Sequence, residues 1–198
     1  MKSFRVPGLL FMVMALALMA MAGGVARAAD NDMWQKGANW MSFRAGYVKN
    51  TMKDSPSGNL GLGVNYMRLM SPRFAVGATV EHHLVEQRGD AALIEIPMTL
   101  DYTIFFHWKT AVAPLLGVGF GGYYRKMYRS GEDQTEFQPG GYARIGLNAP
   151  VDKRTIVGLE YKLASVSSDF TGTDPAFGEE PPSSGRTTFM LSVTRVYW

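Results

Sequence analysis

The residues most able to do chemistry form a few short clusters. Gly117-Val118-Gly119-Phe120-Gly121-Gly122 has the GxGxxG spacing that cradles a pyrophosphate. That use needs a helix directly afterwards, whose N-terminus holds the phosphates, but Tyr123–Tyr128 runs straight into Ser130-Gly131. Glycine at alternate positions of a strand would instead leave small residues along one face. Glu81-His82-His83 is the nearest approach to a metal-ligand cluster. Neighbours on a strand point to opposite faces, so only one histidine can share a side with a given ligand, and the pair is expected to be interfacial, at the base of an external loop. His107 has no acidic residue near it in sequence. Ser165, Ser167 and Ser168 have no histidine in their segment, and a serine nucleophile needs an adjacent base. No cofactor, metal or catalytic group is therefore expected.

The remaining charged candidates have a different logic. Arg44, Glu81, Glu95, Asp101, Arg144, Glu160 and Lys162 each sit on the polar parity of a segment whose other parity is apolar. Such charges survive burial only when paired or hydrated. They point to a polar network on the inner face of a sheet rather than to a catalytic site.

Eight such segments are expected. Near 38–48, Met41, Phe43, Ala45 and Tyr47 oppose Ser42, Arg44 and Gly46; near 59–69 and 74–83 the apolar sets are Leu60 to Tyr66 and Phe74 to Val80. The fourth carries Ile94 to Ile104, and the fifth, near 111–124, alternates Leu116, Val118 and Phe120 with glycine. The sixth covers 137–149, the seventh runs from Val157 to Leu163, and the eighth has Phe189, Leu191 and Val193 facing outward. Counting back by twos from Trp198 gives Val196, Thr194 and Ser192, the opposite parity, which leaves the last strand's register or a bulge within it open. About 9–11 residues suffice for a tilted strand to cross a bilayer. No segment between 29 and 198 offers the roughly 20 apolar residues of a spanning helix.

Connections alternate in length: 70–73, 107–110 and 150–154 are short, whereas 49–58, 84–92, 125–136 and 165–186 are longer. Short periplasmic turns and long external loops distinguish an outer-membrane barrel from a lipocalin-like one, whose interior is apolar. Aromatics near the segment ends, among them Tyr47, Tyr66, Phe74, Trp108, Tyr124, Tyr161, Phe189 and Tyr197, would form interfacial belts.

The first 28 residues fit this reading. Lys2 and Arg5 precede an apolar run from Val6 to Ala22, and Ala26-Arg27-Ala28 is a small-residue cleavage site. Processing there would leave one domain, 29–198, of 198 − 28 = 170 residues. It would also remove three of the 20 basic residues and none of the 17 acidic ones, giving 17 against 17. The basic balance of the full chain is thus no argument for nucleic acid. Cysteine is absent, which excludes disulfides, thiolate-bound zinc and a lipidated cysteine.

Three stretches, Ile94–Leu100, Ala113–Gly121 and Ile156–Tyr161, make the chain resemble the outer-membrane protein β-barrel domain family, the small barrels that include OmpX-like and OmpW-like proteins. The expected fold is all-β, an eight-stranded antiparallel up-and-down transmembrane barrel. An interior of eight strands is just wide enough to be filled by side chains, so the preferred function is non-enzymatic, structural or surface-interacting. Two alternatives stay open: a narrow porin-like conduit for small or apolar solutes, as the OmpW-like resemblance implies, and an acyl enzyme acting on lipid A. Expected partners are outer-membrane lipid and lipopolysaccharide, periplasmic chaperones and the barrel-assembly machinery, and an unidentified surface ligand. The acidic segment 165–186 is the candidate contact for that ligand or for cation-bridged lipopolysaccharide. One specific pairing is expected: centring the 150–154 turn on Asp152 places Arg144 opposite Glu160 on the inner face, as a lumenal ion pair.

Overall fold

A computed structural model describes residues 31–51, 58–88, 91–106, 112–128, 133–167 and 185–198. The leader, His107, Trp108, Ser168 and Gly172 lie outside them. After a short 3₁₀-helix, Asn31–Trp34, come eight strands: β1 Asn39–Asn50, β2 Asn59–Ser71, β3 Phe74–Arg88, β4 Ala91–Phe105, β5 Ala113–Tyr128, β6 Gln134–Pro150, β7 Thr155–Val166 and β8 Gly185–Tyr197. Each pairs antiparallel with the next, and β8 pairs with β1, closing the barrel. Closure satisfies every edge, which lets a sheet stand in lipid.

The alternation in sequence is the alternation in space. Along β1, Ser42, Arg44, Val48 and Asn50 are buried while Met41 and Phe43 are exposed. The outer coat includes Leu60, Leu100, Val118, Phe120, Ile145 and Val193, each more than half exposed. An apolar face running right round a closed wall is far larger than a soluble monomer presents. Across it, Tyr47, Phe189 and Tyr161 share one row by register. Phe74, Tyr102 and Phe120 stack in a second group, with centroids 6.3 and 6.1 Å apart.

β8 settles the parity question without a bulge. It pairs without interruption from Asn39↔Tyr197 to Asn50↔Arg186. Even-numbered residues face in, and Trp198 falls beyond the strand. The register shifts lie elsewhere, between Leu69 and Ser71 and between Leu84 and Glu86.

Two expected loops are largely strand. β3 and β4 pair up to Arg88↔Ala91, so 84–92 is a hairpin end; β5 reaches Tyr128 and β6 begins at Gln134, shortening the 125–136 connection likewise. A template of residues needed to cross lipid stops at the bilayer edge, whereas the sheet's hydrogen bonding continues into water.

The turn after β6 is also displaced. Pro150 pairs with Ile156, so the hairpin centres on Lys153 rather than Asp152. The Asp152 carboxylate accepts the Arg154 N–H at 2.6 Å, and Val151 N–H donates to the Thr155 carbonyl at 2.9 Å, fixing this centre. The Arg154 N–H, with the Thr155 hydroxyl after it, holds the Asp152 carboxyl below its ordinary range. Moving the centre by one residue shifts each partner by two, so every side chain keeps its face.

Candidate functional site in the lumen

The interior is layered. At the end carrying the short turns, which also receives the segment preceding β1, the filling is apolar. Trp40, Leu69, Ala75, Phe105, Ile156 and Val196 point inward from six different strands, and Met33 and Trp34 of the 3₁₀-helix fold into the same cluster. Trp34 meets Trp40 edge-on at 4.8 Å and Phe105 at 5.1 Å. The Trp40 indole N–H donates to the Met33 carbonyl at 3.0 Å, tying the plug to the wall. Gly37, at φ 94°, turns the chain from plug into β1, and its N–H donates to the Leu69 carbonyl at 2.7 Å. The sequence predicts a polar inner face, and this end departs from it.

Above the plug lies the polar network, and the seven charged residues singled out from the sequence are all within it, each at most 4 % exposed. Lys162 Nζ is 2.7 Å from both Glu81 carboxylate oxygens. Arg44 reaches Glu81 at 3.5 Å and Glu160 at 3.2 Å. Arg144 donates to the other Glu160 oxygen at 2.9 Å and to Thr103 Oγ1 at 2.6 Å. The Arg144–Glu160 contact is diagonal, because directly across the ladder Arg144 faces Lys162 and Gly146 faces Glu160. Two guanidiniums thus share one carboxylate.

Asp101 is held differently. It accepts from Asn65 Nδ2 and Thr99 Oγ1, both at 3.0 Å, and from the hydroxyls of Thr79 and Tyr142. The Tyr142 ring lies 4.4 Å beneath the Lys162 ammonium, linking this cage to the ion pairs. The glycines of the fifth strand make the room. A Cβ on Gly119 would meet the Tyr142 ring at 2.3 Å, and one on Gly117 would meet Arg144 Nε at 2.7 Å. The GxGxxG spacing therefore serves packing, and Ala at Gly119 would collide with Tyr142 and Asp101 together.

Towards the opposite end, the mouth, the network continues through residues the sequence reading did not include. His83 Nε2 lies 3.0 Å from Glu81, and its Nδ1 lies 3.7 Å from Glu95. Far from interfacial, it is buried in the lumen; His82 points outward instead. Glu95 is also approached by Arg186 at 3.2 Å and by Arg125 at 3.4 Å, and Arg125 pairs further with Glu136. Val48, Leu93, Tyr123, Met127 and Met190 fill the space around these groups. No group of three or more ligating side chains that could hold a metal occurs among the described residues.

The described histidines and the serines at the end of β7 are not brought together. His82 lies on the outer face of β3 and Ser165 on the outer face of β7, four strands apart in a closed ring of eight. They stand on opposite sides of the barrel.

Among solved structures, the chain is similar to Neisserial surface protein A, with a TM-score of 0.67 and 10 % identity, over 82 % of this chain and 100 % of that one. It is similar as well to the N-terminal β-barrel domain of Pseudomonas aeruginosa OprF, with a TM-score of 0.55, 11 % identity and coverage of 82 % and 98 %. The Yersinia pestis attachment invasion locus protein Ail gives a TM-score of 0.54 and 13 % identity, over 82 % and 100 %. The fold is that of the small eight-stranded outer-membrane β-barrels. No protein-family model matches the sequence, and no curated protein matches it. At these identities the likeness is one of architecture.

Proposed function

We propose that this chain is a non-enzymatic protein of the bacterial outer membrane, exported through a leader cleaved before Ala29. Its filled barrel is a rigid mount for the connections at its mouth, and its role is structural or one of surface interaction. The observation that carries this reading is the filling of the bore. Arg44, Glu81, Asp101, Arg144 and Lys162 are at most 3 % exposed at mid-height, and Met33, Trp34, Trp40 and Phe105 close the end below them. A conduit needs a continuous wet path, and the burial of these two layers favours a filled bore instead. An acyl enzyme needs a serine beside a base, and the distance around the ring between β3, with His82 and His83, and the end of β7, with Ser165 and Ser167, argues against that pairing. The wall's partners are outer-membrane phospholipid and lipopolysaccharide, and chaperones with the barrel-assembly machinery serve during export.

The test is location and topology. The protein should fractionate with outer membrane and migrate as a heat-modifiable β-structured species, with Ala29 as its first residue. An epitope tag near Gly172 should be accessible on whole cells and one near Asp152 should not. Recovery in the soluble periplasm would refute the membrane assignment, and the reverse tag pattern would invert the topology.

A further inference from the structure

Charge is distributed unevenly on the outside of the barrel. At the plugged end, Lys36, Arg68, Arg73, Lys153, Arg154 and Arg195 are all exposed. Asp152 is the one acidic side chain described at that rim, 3.9 Å from Arg195. The cations form one arc, because β7, β8, β1, β2 and β3 are consecutive around the ring. Arg68 and Arg195 project from the lipid-facing parity of their strands, beside Asn39 and Met41 respectively on β1. Arg195 is steadied by a 2.8 Å hydrogen bond to Thr155 Oγ1. The carbonyl of Arg73 accepts from Phe105 N–H at 2.8 Å, and that of Arg154 accepts from Val196 N–H at 2.8 Å, so the turns bearing two more of the cations are fixed to the wall.

Apolar and aromatic side chains sit within this arc on the same face. Met41, Tyr66, Tyr197 and Trp198 are each at least half exposed, and the Tyr66 hydroxyl donates to Asn39 Oδ1 at 2.7 Å. Aromatic rings of this kind settle at headgroup depth, and long basic side chains beside them extend their charge into the headgroup layer. Among its described side chains this rim carries six cations and one carboxylate, an excess of positive charge. It matches a surface of negative charge lying in the plane where the apolar wall ends.

Resting on the membrane reading above, we propose that this arc, centred on Arg68 and Arg195, binds the phosphate headgroups of anionic phospholipid in the leaflet at the plugged end. The site orients the barrel and selects its boundary lipid. The ligand class is a phosphodiester carrying net negative charge, in contrast to a zwitterionic lipid, which brings its own cation.

The test uses protein purified from membranes and placed in bilayers of phosphatidylcholine with and without phosphatidylglycerol, with retained lipid counted by native mass spectrometry. The wild type should retain phosphatidylglycerol preferentially. Arg68→Gln/Arg195→Gln should lower that preference about tenfold, high salt should weaken it, and Lys49→Gln, at the mouth, should leave it unchanged. Arg68→Lys/Arg195→Lys, which keeps the charge, should retain it and guards against a folding defect. Equal retention of both lipids by the heat-modifiable barrel, or the same loss from Lys49→Gln, would overturn the headgroup site and leave the barrel reading intact. Failure of the protein to reside in a bilayer would overturn both.

Discussion

Glu160→Gln should destabilise the barrel by about 3–5 kcal/mol, more than the further loss on removing Arg144 as well. Glu160 is the shared acceptor of Arg44, at 3.2 Å, and of Arg144, at 2.9 Å, and both guanidiniums are at most 1 % exposed. Taking the carboxylate's charge away strips Arg144 of the acid it pairs with at 2.9 Å and leaves Arg44 to Glu81, at 3.5 Å, in a buried site. Removing Arg144 in the same molecule takes the stranded cation away. A double-mutant cycle over Arg144→Met and Glu160→Leu, read by urea unfolding of the folded barrel, should show strong coupling of the two sites. Additive losses would mean that each charge is separately hydrated, and the interior would then be wet.

Trp34→Ala should cost a comparable amount, about 3–5 kcal/mol, because it empties the centre of the plug. Trp34 is 7 % exposed and packs edge-on against two other rings. Its loss also weakens the reason for the 3₁₀-helix to stay inside the barrel. Trp34→Phe, which keeps a ring against Trp40 and Phe105, should lose much less. A Trp34→Ala barrel as stable as the wild type would show that the plug does not hold that end closed.

The fold was legible because lipid outside and polar groups inside impose a period of two, which the sequence displays from Met41 to Val193. The seven network residues were legible for the same reason. Legibility ended where the two faces cease to differ. At the plugged end adjacent apolar pairs, Trp40-Met41, Leu69-Met70, Ile104-Phe105, Leu115-Leu116 and Ile156-Val157, supply one residue to each face. Such doublets are the sequence mark of an apolar plug, and strict alternation passes over them. Arg125 and Arg186 were missed because they lie beyond the length needed to cross lipid, where strands continue without an apolar face to mark them. His83 carried a usable signal: it stands two residues from Glu81, and on a strand that spacing means the same face. The diagonal Arg144–Glu160 contact was accessible because its parity did not depend on the turn, although the turn's true centre did depend on the Asp152 side chain.

The proposed function rests on a filled interior, a buried polar network above an apolar plug. The most direct measurement is planar-bilayer conductance of the purified protein at neutral pH. The filled interior predicts no discrete current steps above the bare membrane. Sustained, reproducible steps that scale with salt would contradict it and restore the conduit.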